Sequence, residues 1–198
     1  MPPRPIPSAR FQKLVRFVRR GTYGPPLVAK YGEIEDWDVS QVTNMANAFA
    51  NDNTFNRDIS RWDVSHVTDM SRMFAGTTAF NVPIGGWDVS SVTKMQNMFF
   101  YATAFNQPLG TWNVSRVTSM RDMFRDTESF NAPIRGWDVS QVRDMSSMFR
   151  NAEAFNQPLE RWDVSRVTNM EGMFDGATSF DQPLLGRWQT KTTATAIA

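Results

Sequence analysis

Apolar positions recur along the chain with a period of 25 residues, marked by Trp37, Trp62, Trp87, Trp112, Trp137 and Trp162. Each Trp opens the same word, Trp-Asp-Val-Ser-x-Val-Thr-x-Met, with Asn113 for Asp in one copy and Arg143 for Thr in another. A Met-Phe pair follows (Ala48-Phe49 in the first copy), then Phe-Asn-x-Pro-Ile/Leu or a close variant. Self-similarity at a fixed period is the signature of a repeat array. Six copies fill residues 33–187, and a partial copy begins at Trp188 and runs into a Thr/Ala tail over 188–198.

A unit of this length cannot bury its own apolar face, so neighbouring copies must supply the core for one another. Within a copy, Trp87 and Val89 share one face while Asp88 points away, the period of a short strand, and successive copies would pair such strands in parallel. Ser90 is an N-cap type, and Val92, Met95, Met98 and Phe99 follow at helical spacing, predicting a short helical turn. Phe105, Asn106, Pro108 and Leu109 then read as a turn, because proline cannot continue a helix. The fold class expected is an α/β repeat with short parallel strands and short helical turns.

Residues 1–32 differ in kind. Between Ser8 and Gly21, Phe11, Leu14, Val15 and Val18 fall on one helical face with basic residues mostly opposite, which predicts a helix capping the open end of the first copy. Gly24 and Pro25-Pro26 read as the linker into the array. An amphipathic segment rich in Arg and free of acid also has the character of an organellar targeting segment or of an anchor for an anionic surface.

The overall charge of +1 conceals this asymmetry. Seven cations and no acid lie in residues 1–32, leaving 14 of the 21 cations with all 20 acids in the remainder. With no Cys and only His66, disulfides, thiolate metal sites, Cys nucleophiles and two-imidazole sites are excluded. No Gly-rich phosphate loop, Ser/His/Asp constellation or isolated carboxylate pair stands apart from the repeat, so the expectation is a non-enzyme without cofactor.

The repeated polar residues read as structure. Asp38, Asp63, Asp88, Asn113, Asp138 and Asp163 form a column whose side chains can accept the backbone N–H two residues on. Calcium is the competing reading of that column. The Asn of Phe-Asn (Asn56, Asn81, Asn106, Asn131, Asn156) reads as a turn residue bonding the backbone of the adjacent coil, and the Met and Trp columns read as core. Asn113-Val114-Ser115 fits a glycosylation sequon.

Ile84-x-x-Trp87-x-Val89-x-x-Val92 follows the spacing of leucine-rich repeats. With the Trp-Asp-Val-Ser-x-Val-Thr-x-Met-x-x-Met-Phe word, the chain resembles the 25- to 26-residue bacterial surface-protein repeat of mycoplasma lipoproteins and BspA-like surface proteins, a family of unknown function. The resemblance covers about four-fifths of the chain. It implies a right-handed, leucine-rich-repeat-like solenoid and adhesion or protein binding, with no catalytic residues to carry over. The chain lacks the lipobox Cys of surface members and shows no evident signal peptide or stop-transfer segment. An intracellular or organellar place is therefore expected over the cell surface.

If repeated positions are structural, function belongs to those that vary from copy to copy. Phe100-Tyr101 is an aromatic pair in an otherwise polar stretch, the kind of anchor that protein contacts use. Arg116, Arg121, Arg125 and Arg150 thicken the later copies, and Arg16, Arg19 and Arg20 crowd the N-terminal helix. The expected function is a protein-protein interaction or scaffold module in a larger assembly, its basic N-terminus meeting an anionic protein or membrane surface. A secreted adhesin and a calcium-stabilised structural protein are the alternatives. Sequence-specific nucleic-acid binding is not expected.

Overall fold

The computed structural model describes residues 4–183, so the partial copy and tail expected over 188–198 lie outside the described residues. Two helices and a short 3-10 turn open the chain: α1 (Ser8–Arg19), α2 (Pro25–Tyr31) and Ile34–Asp36. From Trp37 onward the described chain holds neither helix nor sheet. It is a succession of turns, joined between copies by single parallel bridges, Asn44 to Asp69, Asp69 to Lys94, Ser119 to Asp144 and Asp144 to Asn169.

The expected α/β architecture of leucine-rich-repeat type, with parallel strands and helical turns, is therefore wrong. Trp87 and Val89 form no paired strand; Trp87 N–H closes a turn onto the Ile84 carbonyl at 3.1 Å, and Val92 N–H closes another onto Val89 at 2.9 Å. The Val92 to Phe99 segment is not a helix because its backbone reverses hand. Asn97 and Tyr101 have φ of 58° and 56°, and the same two positions are left-handed in other copies (Asn47 and Asn51, Asp122 and Asp126, Gly172 and Gly176). An α-helix needs unbroken right-handed dihedrals, and a left-handed residue at every fourth position forbids one. Asn, Asp and Gly, which tolerate that conformation best, hold most of these sites.

The backbone donors divide accordingly. Asn97, Phe99 and Tyr101 donate to the carbonyls of Arg121, Met123 and Arg125 in the next copy at 2.9–3.0 Å. The alternate residues Met98, Phe100 and Ala102 donate three residues back, to Met95, Asn97 and Phe99, at 3.0–3.2 Å. Half the N–H groups of this segment thus bind copy to copy and half close turns. These assignments satisfy buried backbone groups without regular secondary structure.

Aromatic columns run through the stack. Phe49, Phe74, Phe99, Phe124, Phe149 and Phe174 lie with successive ring centroids 5.5–5.8 Å apart and nearly parallel planes. A second column (Phe55, Phe80, Phe105, Phe130, Phe155, Phe180) lies alongside, with partners in the same copy 3.8–4.1 Å away. The Trp side chains are buried at their own column, and each indole is also a stitch. Nε1 of Trp62, Trp87, Trp112, Trp137 and Trp162 donates to the carbonyl 28 residues earlier, Ile34, Ile59, Ile84, Leu109 and Ile134, at 2.8–3.2 Å.

The N-terminal segment takes over the bonds that a preceding copy would make. Thr68 and Thr93 donate backbone N–H to the Thr carbonyl of the copy before, but Thr43 has no copy before it and donates to Ser8 Oγ at 3.1 Å. Ser71 and Ala75 carbonyls accept from the preceding copy's Asn47 and Asn51; their counterparts Ala46 and Ala50 accept from Gln12 Nε2 at 2.9 Å and Arg19 Nη2 at 2.6 Å. Trp37 Nε1 donates to Tyr23 Oη at 3.0 Å. Phe11, Leu14 and Val15 are buried beneath α1, with Phe11 edge-on to Trp37 and Trp62. Pro25-Pro26, expected as a linker, instead occupies the first turn of α2, where proline's missing N–H costs no helical bond.

Candidate interaction surface

The repeated polar residues are committed to the scaffold. Asp63 Oδ1 accepts from Ser65 backbone N–H at 3.1 Å and from its hydroxyl at 2.6 Å, and Asn113 does the same for Ser115 at 3.2 and 2.7 Å. These bonds hold the Asp63 and Asp88 carboxyls below the usual aspartate range, with the bonded Ser65 and Ser90 side chains as the leading cause. At Asp69, burial pushes the carboxyl up, but the Ser71 bonds and Lys94 together outweigh it and the net shift is downward. Asn81, Asn106, Asn131 and Asn156 each give backbone N–H to the amide oxygen of the Asn one copy earlier, at 2.9–3.0 Å. Among the described residues no group of three or more His, Cys, Asp or Glu could hold a metal ion. The Asp column, read as a calcium alternative, spends its Oδ1 atoms on Ser donors instead.

The variable position between Thr and Met is also partly structural. Asn44, Asp69, Asp144 and Asn169 accept the backbone N–H two residues on at 2.9–3.1 Å. Lys94 cannot accept and instead reaches Asp69 at 3.4 Å.

The expected contact residues separate into three places. Phe100, Tyr101, Arg121 and Arg125 come together where the third and fourth copies meet. Tyr101 is 50% exposed, a large side chain left in water. Phe100 is half-buried, its ring 6.4 Å from Tyr101 and covered by the Arg125 guanidinium at 5.5 Å. Arg125 is fixed there by Asp122 and Asp126, each 3.3 Å away, and Arg121 pairs with Asp122 at 3.1 Å. Arg150 is exposed in the next copy, its carbonyl accepting from Asp126. Arg116 lies in a different column and is exposed. Arg16, Arg19 and Arg20 lie at the far end on α1, lining with Asn51 and Asp52 a cleft of about 360 Å³.

The backbone at Tyr101 sets this patch apart. Its φ of 56° occupies a site held elsewhere by Asn51, Gly76, Asp126, Asn151 and Gly176. A bulky aromatic there costs about 1–2 kcal/mol relative to right-handed backbone, and the copy-to-copy bond from its N–H to Arg125 holds it in place.

A family model matches the chain twice, over residues 27–131 and 108–197, with the description Mycoplasma protein of unknown function, DUF285. The chain belongs to that family. No curated protein and no solved structure matches it. The expected mycoplasma-type repeat is thus shown at the level of the family, whose function is itself unknown, while its leucine-rich-repeat character is not. Sequence spacing did not indicate α2 or the groove it makes with α1. Proline at the first turn of a helix, after Gly24 and before Leu-Val-Ala-Lys-Tyr, is the signal that locates that element.

Proposed function

We propose that the chain is a non-enzymatic binding or scaffold module whose partner contact centres on Phe100 and Tyr101. The observation that carries this reading is Tyr101 itself: half exposed, aromatic and held left-handed at a position where other copies place Asn, Asp or Gly. Strained backbone tends to be retained where it serves function, and exposed aromatics anchor protein interfaces. Arg125, stacked on Phe100 and tied to two carboxylates, makes the platform rigid, which lowers the entropy lost on binding. The reading assigns no catalytic role to any side chain.

Tyr101→Asn tests it. Asn suits the left-handed backbone, so the variant should melt at the same temperature or higher while losing proteins that the Tyr101 chain captures from extracts of the source cell, both chains carrying a photo-crosslinking side chain at the exposed position 150. An unchanged bound set would refute the placement.

A further inference from the structure

A second surface lies at the capped end, away from Tyr101. Arg10, Lys13, Leu14 and Phe17 on one face of α1, with Leu27 and Tyr31 of α2, line a groove of about 330 Å³. Its floor is apolar: Leu14 and Tyr31 are buried, and Phe17 and Leu27 are half-buried. Its rim is cationic. Lys13 Nζ sits 5.9 Å from the Phe17 ring centre, Lys30 Nζ sits 5.2 Å from that of Tyr31, and Arg10 donates to Tyr31 Oη at 3.4 Å. Burial pushes the Tyr31 phenol up, and the Arg10 and Lys30 hydrogen bonds outweigh it, lowering it overall.

Two facts identify what this groove is fit to receive. No acidic residue occurs in residues 1–32, and the ion pairs found among the described residues engage Arg57, Arg61, Lys94, Arg121, Arg125 and Arg135 but no cation of α1 or α2. The rim charges therefore await an external anion. The apolar stripe of α1 is already spent on the array, with Phe11, Leu14 and Val15 buried, so the helix has no second apolar face to insert into a bilayer. Tyr31 is 2% exposed and Phe17 is half-buried beneath Lys13, which leaves one partly covered ring, short of the aromatic platform on which successive nucleic-acid bases stack.

We infer that the α1–α2 groove docks an acidic segment of a partner protein, one bulky apolar side chain entering between Phe17 and Leu27 while flanking carboxylates meet Arg10, Lys13 and Lys30. Charge complementarity selects the partner and the apolar anchor sets register, the division of labour common to peptide grooves.

The test is selection of a random displayed peptide library on the intact chain, followed by affinity measurement on the enriched peptides. Enriched sequences should combine Asp or Glu with Leu, Phe or Trp. Binding should weaken by about tenfold or more with Lys13→Glu, an exposed position that leaves the cap packing alone, and equally with Leu27→Ser. Tyr101→Asn should leave it unchanged, which separates this site from the surface proposed above. An enriched pool without acidic residues, or acidic peptides indifferent to both groove variants, would overturn the inference. So would vesicles containing phosphatidylserine, or a single-stranded oligonucleotide, binding in a Lys13-dependent way where the peptides do not.

Discussion

Trp112 Nε1 donates to the Ile84 carbonyl at 3.1 Å, across a separation of 28 residues, with the indole only 3% exposed. The bond ties one copy to the turn that leads into the Trp of the copy before it, so each Trp is packing and fastening at once. Trp112→Phe keeps an aromatic ring and removes one of the two donors to the Ile84 carbonyl, leaving the Trp87 N–H at 3.1 Å as its remaining partner. Destabilisation of about 0.5–1.5 kcal/mol is expected from the lost bond, with a packing loss added. Trp37→Phe should cost less, because its bond to Tyr23 Oη is only part-buried, where water can replace the lost donor, whereas the Trp112 bond is buried. Urea unfolding of the two variants checks the difference; equal losses would remove the fastening role.

Phe11 is fully buried in the cap and edge-on to Trp37 and Trp62. Phe11→Ala should cost about 3–5 kcal/mol and release α1 from the first copy. Amide exchange should then rise first around Thr43, Ala46 and Ala50 and leave the later copies protected, since stacked copies depend on their neighbours alone. Uniform loss of protection along the array would contradict this.

Gly76 has φ of 73°, and a Cβ there would fall 2.7 Å from Asn51 Oδ1. Gly76→Ala combines left-handed strain of about 1–2 kcal/mol with that collision. Adding Asn51→Gly should recover the collision part and leave the strain, giving a non-additive double-mutant cycle. Additive losses in thermal melts would show that the two side-chain positions do not meet.

The Asp63 and Asp88 carboxyls titrate lower in the folded chain than free aspartate does, the leading cause being hydrogen bonds from Ser65 and Ser90. A depressed folded value means that their contribution is complete above the ordinary aspartate value of about 3.9 and fades as pH falls through the lowered folded value. Asn113 shows that an amide accepts the same bonds. Asp63→Asn with Asp88→Asn should therefore keep stability at neutral pH and flatten the acid limb of a melting-temperature profile. An acid limb as steep as before would place the acid sensitivity elsewhere.

The period, the core columns and the Asn ladder were legible in the sequence because identical residues 25 apart must meet when copies stack. Secondary structure was not. Val92, Met95, Met98 and Phe99 have the spacing of a helical stripe, and that spacing serves equally for a chain of turns closing every three residues. What distinguishes the two is the sign of φ, and its trace lies in the polar positions: Asn47 with Asn51, Asp122 with Asp126, Gly172 with Gly176, four residues apart. The Trp-x-Val alternation likewise mimics a strand, while the copy-to-copy bonds fall further on, from Thr to the residues after Met. Phe100-Tyr101 stood out from its neighbours in sequence, but the left-handed strain at Tyr101 and the Arg125 cover on Phe100 emerge only from packing.

The central claim is that backbone donors alternate between the next copy and the turn behind. Scalar couplings across hydrogen bonds, measured by NMR on the isotopically labelled chain, read donor and acceptor pairs directly. Asn97, Phe99 and Tyr101 nitrogens should couple to the carbonyl carbons of Arg121, Met123 and Arg125, while Met98, Phe100 and Ala102 couple to Met95, Asn97 and Phe99. Couplings from consecutive residues to the carbonyl four positions earlier would instead reveal an α-helix and contradict the account.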